Sequence, residues 1–66
     1  MRLIVNGKPG DFKDEATLAD VLGDLKIDSL RVATLVNDHV IRRDNRADTH
    51  MKAGDRVEAF TFACGG

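Results

Sequence analysis

The chain has 66 residues, a formal net charge of −1 and a single cysteine. One cysteine excludes an internal disulfide and a two-cysteine metal site, and the near-neutral charge argues against nucleic acid as a partner. A domain this short buries only roughly 60% of its unfolded surface, so its core must be thin.

Met1 leads directly into Arg2-Leu3-Ile4-Val5, a run too short for a signal peptide or a membrane span. A soluble, cytoplasmic protein with no membrane partner is the expectation. Arg2–Val5 reads as the first strand, and Asn6-Gly7 after it is a strong hairpin signal. Residues 8–13 should return as a second strand, short and at a sheet edge, because Pro9 cannot donate to a ladder. Thr17 is placed to cap a helix, with Asp20 three residues on as a shortened capping box. Leu18, Val21, Leu22 and Leu25 then fall on one helical face, opposite Asp20 and Asp24. That stripe is expected to pack into the core. Gly23 weakens the helix interior by up to about 1 kcal/mol against alanine.

Residues 27–31 are a connector. Val32–Val36 is apolar on both parities, so it should be an interior strand of a sheet. Asn37-Asp38 turns it into His39-Val40-Ile41. Residues 42–53 are polar and irregular, with room for a helical turn, and Met51 is their expected anchor in the core. Gly54-Asp55 marks a turn before a last strand over residues 56–62. On that strand Val57, Ala59 and Thr61 share one parity, and Glu58, Phe60 and Phe62 the other. The order β-β-α-β-β-β with one strong helix predicts a two-layer α+β domain, a mixed sheet of about five strands with the helix on one face. The other face has no helix to cover it. Phe60 and Phe62 are candidates for exposure there and for docking a partner.

Charge is unevenly placed. Residues 11–28 carry Asp11, Asp14, Glu15, Asp20, Asp24 and Asp28 against two lysines, and residues 42–46 carry Arg42, Arg43 and Arg46 against Asp44. Such runs read as solvated faces or as an electrostatic match to a protein partner. An enzyme site is not legible. His39 and His50 belong to no metal-spaced motif, no Ser-His-Asp set appears, and the interior glycines form no phosphate loop. The expectation is a chain that catalyses nothing alone and holds no metal or cofactor.

The sequence closes on Ala63-Cys64-Gly65-Gly66. Packing asks for no glycine there, whereas a thin diglycine thread suits entry into a narrow channel on another protein. The C-terminal carboxyl group of Gly66 is therefore the candidate reactive group, residues 63–66 a flexible tail, and residues 1–62 the folded domain. Cys64 lies in that tail without a neighbouring cation to lower its pKa, and reads either as an incidental small residue or as a thiol that joins a partner or Gly66.

Taken together, Arg2–Gly7, Ala16–Leu22, Val32–Asn37, Val40–Arg43, Gly54–Glu58 and Gly65-Gly66 resemble the ThiS-type sulfur carriers over essentially the whole chain. The resemblance implies a ubiquitin-like β-grasp fold. It also implies that an E1-like, ThiF-like enzyme adenylates Gly66 with ATP, and that a sulfur donor such as a cysteine desulfurase converts the adenylate to a thiocarboxylate. A ThiG-like thiazole synthase would receive the sulfur for thiamin. Arg43 matches an arginine of the family and is a further docking candidate. Cys64, Arg42 and Phe60 depart from the family's usual residues at their positions. Related carriers serve molybdopterin synthesis, as MoaD does, or cysteine and methionine synthesis, and ubiquitin-like modifiers share the tail, so these remain alternatives.

Overall fold

The computed structural model describes residues 1–61. Strands β1 (Arg2–Val5) and β2 (Lys8–Asp11) form the first hairpin, helix α1 (Leu18–Asp24) follows, and β3 (Val32–Val36) and β4 (His39–Ile41) form the second hairpin. A 3₁₀ helix over Arg43–Asp48 and strand β5 (Arg56–Thr61) complete it. The five strands lie in the order β2-β1-β5-β3-β4. β5 runs parallel to β1 and antiparallel to β3. This is the five-strand mixed β-grasp sheet with one main helix on one face, as the element order and the resemblance implied.

Both hairpins turn through two residues with positive φ, Asn6 and Gly7 (50° and 82°) and Asn37 and Asp38 (50° and 71°). That geometry matches the right-handed twist of the flanking strands. Pro9 lies on the edge strand β2, which ends at Asp11 rather than Lys13: the Phe12 N–H and carbonyl still pair with Met1, in register with Arg2 opposite Asp11, and the chain leaves the sheet after that pair. β3 is interior, as its composition demanded, and β5 is the middle strand.

Helix α1 begins with the full capping box. Thr17 Oγ1 accepts from the Asp20 N–H at 3.2 Å, and Asp20 Oδ2 accepts from the Thr17 N–H at 3.0 Å. Its end corrects the expected four-residue stripe. Leu18, Val21 and Leu22 are buried, but Leu25 is the C-cap and is 43% exposed. The Lys26 N–H returns to the Gly23 carbonyl and the Ile27 N–H to the Leu22 carbonyl, each at 3.0 Å, which is a Schellman motif with Lys26 at φ 57°. The chain thus leaves the helical path before Leu25 can face the sheet, and half-buried Ile27 packs against the core instead.

Strand register fixes the two faces of the sheet. Leu3, Val5, Val57, Val32 and Thr34 point toward the helix and are buried. With Ala16, the three helix residues and Met51 they make the interior. Met51 reaches it because residues 49–51 run beside 16–18: the Leu18 N–H donates to the Thr49 carbonyl and the Met51 N–H to the Ala16 carbonyl, both at 2.9 Å. Among the described residues no helix is long and apolar enough to cross a membrane. The expected boundary between domain and tail, and the call of Phe62 as the end of the last strand, lie outside the described residues.

Candidate functional site

The face of the sheet away from α1 carries the opposite parities: Ile4 on β1, Glu58 and Phe60 on β5, Ala33 and Leu35 on β3, and Val40 on β4. Phe60 stands opposite Ala33, Glu58 opposite Leu35, and Leu35 opposite Val40. Phe60 is 51% exposed and Val40 71%, and Ile4 is also exposed. The result is an apolar strip across the middle of the sheet with one half-buried carboxylate, Glu58, set into it; among the described residues Glu58 makes no ion pair. Ion pairs mark the margins, Arg2–Asp11 at 3.3 Å and Arg56–Asp38 at 3.2 Å. All four side chains are exposed, so each pair is worth at most about 1 kcal/mol. The surface depressions, about 370, 470 and 440 Å³, open onto solvent instead of enclosing a ligand. The strip has an apolar centre within a polar rim, the anatomy common to macromolecular interfaces.

The basic segment divides in two. Arg42 and Arg43 are exposed beyond the end of β4. Arg43 borders the same depression as Ala33, Val40 and Leu30, and Ala33 is also the strand partner of Phe60, the other candidate docking residue. Arg46, three residues on, is buried, which corrects its reading as part of a solvated or partner-facing charge run. Its Nε donates to Thr34 Oγ1 at 3.1 Å, Nη1 to the Ser29 carbonyl at 2.6 Å and Nη2 to the Val32 carbonyl at 2.6 Å. Thr34 Oγ1 in turn donates to the Ile41 carbonyl at 2.9 Å. Burial, and secondarily the Arg43 charge, lower the Arg46 pKa from the usual guanidinium range. It nonetheless stays protonated at any ordinary pH. The available signal for this residue was Thr34: a hydroxyl at a core-facing position of a strand needs a buried partner.

The Asp20 carboxylate has a clearly lowered pKa. The Thr17 backbone N–H, then the Thr17 hydroxyl, hold it below the ordinary value of 3.8. It serves the helix cap, and His39 and His50 are exposed. No cluster of metal-ligating side chains occurs among the described residues. Phe62, Cys64, Gly65 and Gly66 lie outside the described residues.

The model of the ThiS family matches residues 3–66. The chain belongs to the ThiS family. The crystal structure of a thiamine biosynthesis protein (ThiS) from Geobacter metallireducens is 33% identical, with a TM-score of 0.89 and full coverage of both chains. An NMR solution structure of a thiamine biosynthesis protein from Geobacter metallireducens is 35% identical, with a TM-score of 0.79, over all of this chain and 88% of the other. A thiazole synthase from Paramagnetospirillum magneticum is 32% identical over 66 residues. This ThiS-family chain spans only 20% of the length of that protein.

Proposed function

We propose that this chain is a sulfur carrier for thiazole formation in thiamin biosynthesis, with the Gly66 carboxyl group as the sulfur-bearing site. The observation that carries the reading is the family match, which runs through Gly65 and Gly66. The chemistry follows from the carboxylate. It is a poor electrophile, because its leaving group would be oxide. Attack of a Gly66 oxygen on the α-phosphorus of ATP expels pyrophosphate and leaves an acyl adenylate, whose AMP departs readily. The terminal sulfur of a persulfide on a donor such as a cysteine desulfurase then takes the place of AMP to form an acyl disulfide, and a second thiol, forming a disulfide with the donor cysteine, releases the thiocarboxylate. Gly65 has no Cβ to obstruct approach to the nucleotide. An E1-like enzyme supplies the ATP site, and this chain supplies the terminus and the surface that addresses it.

The open face supports this reading of division of labour. Its apolar strip, with Phe60 near the end of β5, lies on the strand that leads into residues 62–66. Docking there brings the tail and the partner's active centre into one encounter. A thiazole synthase that contains a stretch similar to all of this chain supports thiazole synthase as the acceptor. Placing two such units on one polypeptide raises their effective concentration, an arrangement useful to partners that must meet.

Intact-mass spectrometry tests the proposal. Incubation with an E1-like enzyme, ATP and a sulfur source should exchange one oxygen for one sulfur, and tandem fragments should place the change at Gly66. Absence of that exchange refutes the reading. Adducts on lysines of other proteins would instead identify a ubiquitin-like modifier.

A further inference from the structure

The two halves of β5 are held differently. Arg56 and Val57 lie between two strands, with Ile4 and Val5 of β1 on one side and β3 on the other. Residues 58–61 run past the paired end of β1. On that side, among the described residues, the Asn6 side chain replaces the strand, its Oδ1 accepting from the Ala59 N–H at 2.9 Å. On the other side the ladder continues, Leu35 opposite Glu58, Thr34 opposite Ala59, Ala33 opposite Phe60 and Val32 opposite Thr61. The first residues of β3 are therefore the template on which the end of β5 is laid.

That template begins abruptly. It follows the connector over residues 25–31, in which Leu30 and Arg31 are exposed. Arg46 reaches across from the 3₁₀ helix and holds the junction at three points, Ser29, Val32 and Thr34. Arginine suits this task because its planar fork sends donors in fixed directions to separate acceptors, which a lysine ammonium cannot do. All three acceptors are uncharged. Burying a cation among neutral groups is a costly way to fill space, since an apolar side chain of similar volume avoids the desolvation.

We infer that Arg46 is a positioning residue: by pinning the start of β3 it sets the direction in which β5 delivers the segment that carries Gly66. The inference rests on the carrier reading above for its functional half, and on strand geometry alone for its structural half.

The test compares wild type with Arg46→Met, which keeps length and volume but no donor, and Arg46→Lys, under conditions where circular dichroism shows a folded domain. Amide hydrogen exchange at Phe60 should accelerate about tenfold or more in Arg46→Met, the equivalent of losing one charge-assisted hydrogen bond. Exchange at Val5 and Val57 should hold steady. With an E1-like adenylating enzyme and ATP, pyrophosphate release should lose more in kcat than in KM, because Ile4, Leu35 and Val40 of the open face lie off the loosened segment and only its Phe60 end is released. Arg46→Lys should recover only part of either effect. Thr34→Val removes one acceptor without removing the cation, and carries the same comparison at smaller amplitude should Arg46→Met not fold. Uniform acceleration at Val5, Val57 and Phe60, or local loosening with kcat unchanged, would overturn the inference. A wild-type chain that releases no pyrophosphate would overturn the carrier reading instead, while the exchange pattern still decides whether Arg46 holds the strand.

Discussion

Thr17 and Asp20 close the N-terminus of α1 by reciprocal hydrogen bonds, which add to the packing of Leu18, Val21 and Leu22 in holding this seven-residue helix. Thr17→Ala should cost about 1 kcal/mol. In a domain of this size the melting temperature should fall by about 4–8 °C, measured by circular dichroism. Asp20 adds a pH dependence of definite sign. Its folded-state pKa lies below 3.8, so it stabilises the fold fully above the unfolded-state value and progressively less as pH falls through the folded one. Urea midpoints of wild type and Asp20→Asn should differ more at neutral pH than near pH 3, and equal differences at both would show the carboxylate is not the cause. Arg46 is the contrasting residue. Its neighbours Arg42 and Arg43 remain in water, and nothing in the run Arg42-Arg43-Asp44-Asn45-Arg46 distinguishes the one that turns inward. Only the fold, by setting Thr34, the Val32 carbonyl and the Ser29 carbonyl of the connector beside it, makes that position a polar interior.

The elements were largely legible, because each rests on a local signal. Asn6-Gly7 is a hairpin turn on its own, the Thr17–Asp20 box starts a helix on its own, and Val32–Val36 is too apolar for an edge. The helix end was not legible. A Schellman turn is usually announced by glycine, and here the left-handed position is Lys26, which carries a Cβ. The apolar spacing therefore ran one step too far, to Leu25. The same observation yields a prediction. Lys26→Gly should relieve the left-handed penalty and stabilise the domain by about 1 kcal/mol, less what glycine adds to the freedom of the unfolded chain. An unchanged or lowered melting temperature would mean Lys26 is held by something other than that turn. The docking candidates show the corresponding limit for the site. Strand parity sends Phe60 to the open face, but only the pairing of β5 with β3 places it opposite Ala33, which borders the same depression as Arg43.

At the scale of the whole molecule the two faces have separate duties. The helix side holds the interior, and the open side faces outward. A change on the open face should therefore separate stability from recognition. Phe60→Thr removes an apolar group that is already half in water and keeps a strand-forming residue, so urea midpoints should show a cost of no more than about 1 kcal/mol. Binding to an E1-like enzyme or a thiazole synthase, followed by calorimetry, should weaken at least tenfold if the strip is the docking surface. The order β2-β1-β5-β3-β4 has one more consequence, for biosynthesis. The strand that occupies the centre of the sheet is the last of the five to leave the ribosome. Two hairpins and a helix can be synthesised and still have no middle to assemble around. A polypeptide interrupted before residue 56 therefore lacks the means to fold, and is left for proteolysis. The middle strand is therefore the piece that turns two separate hairpins into one sheet, and among the described strands it is the last to become available.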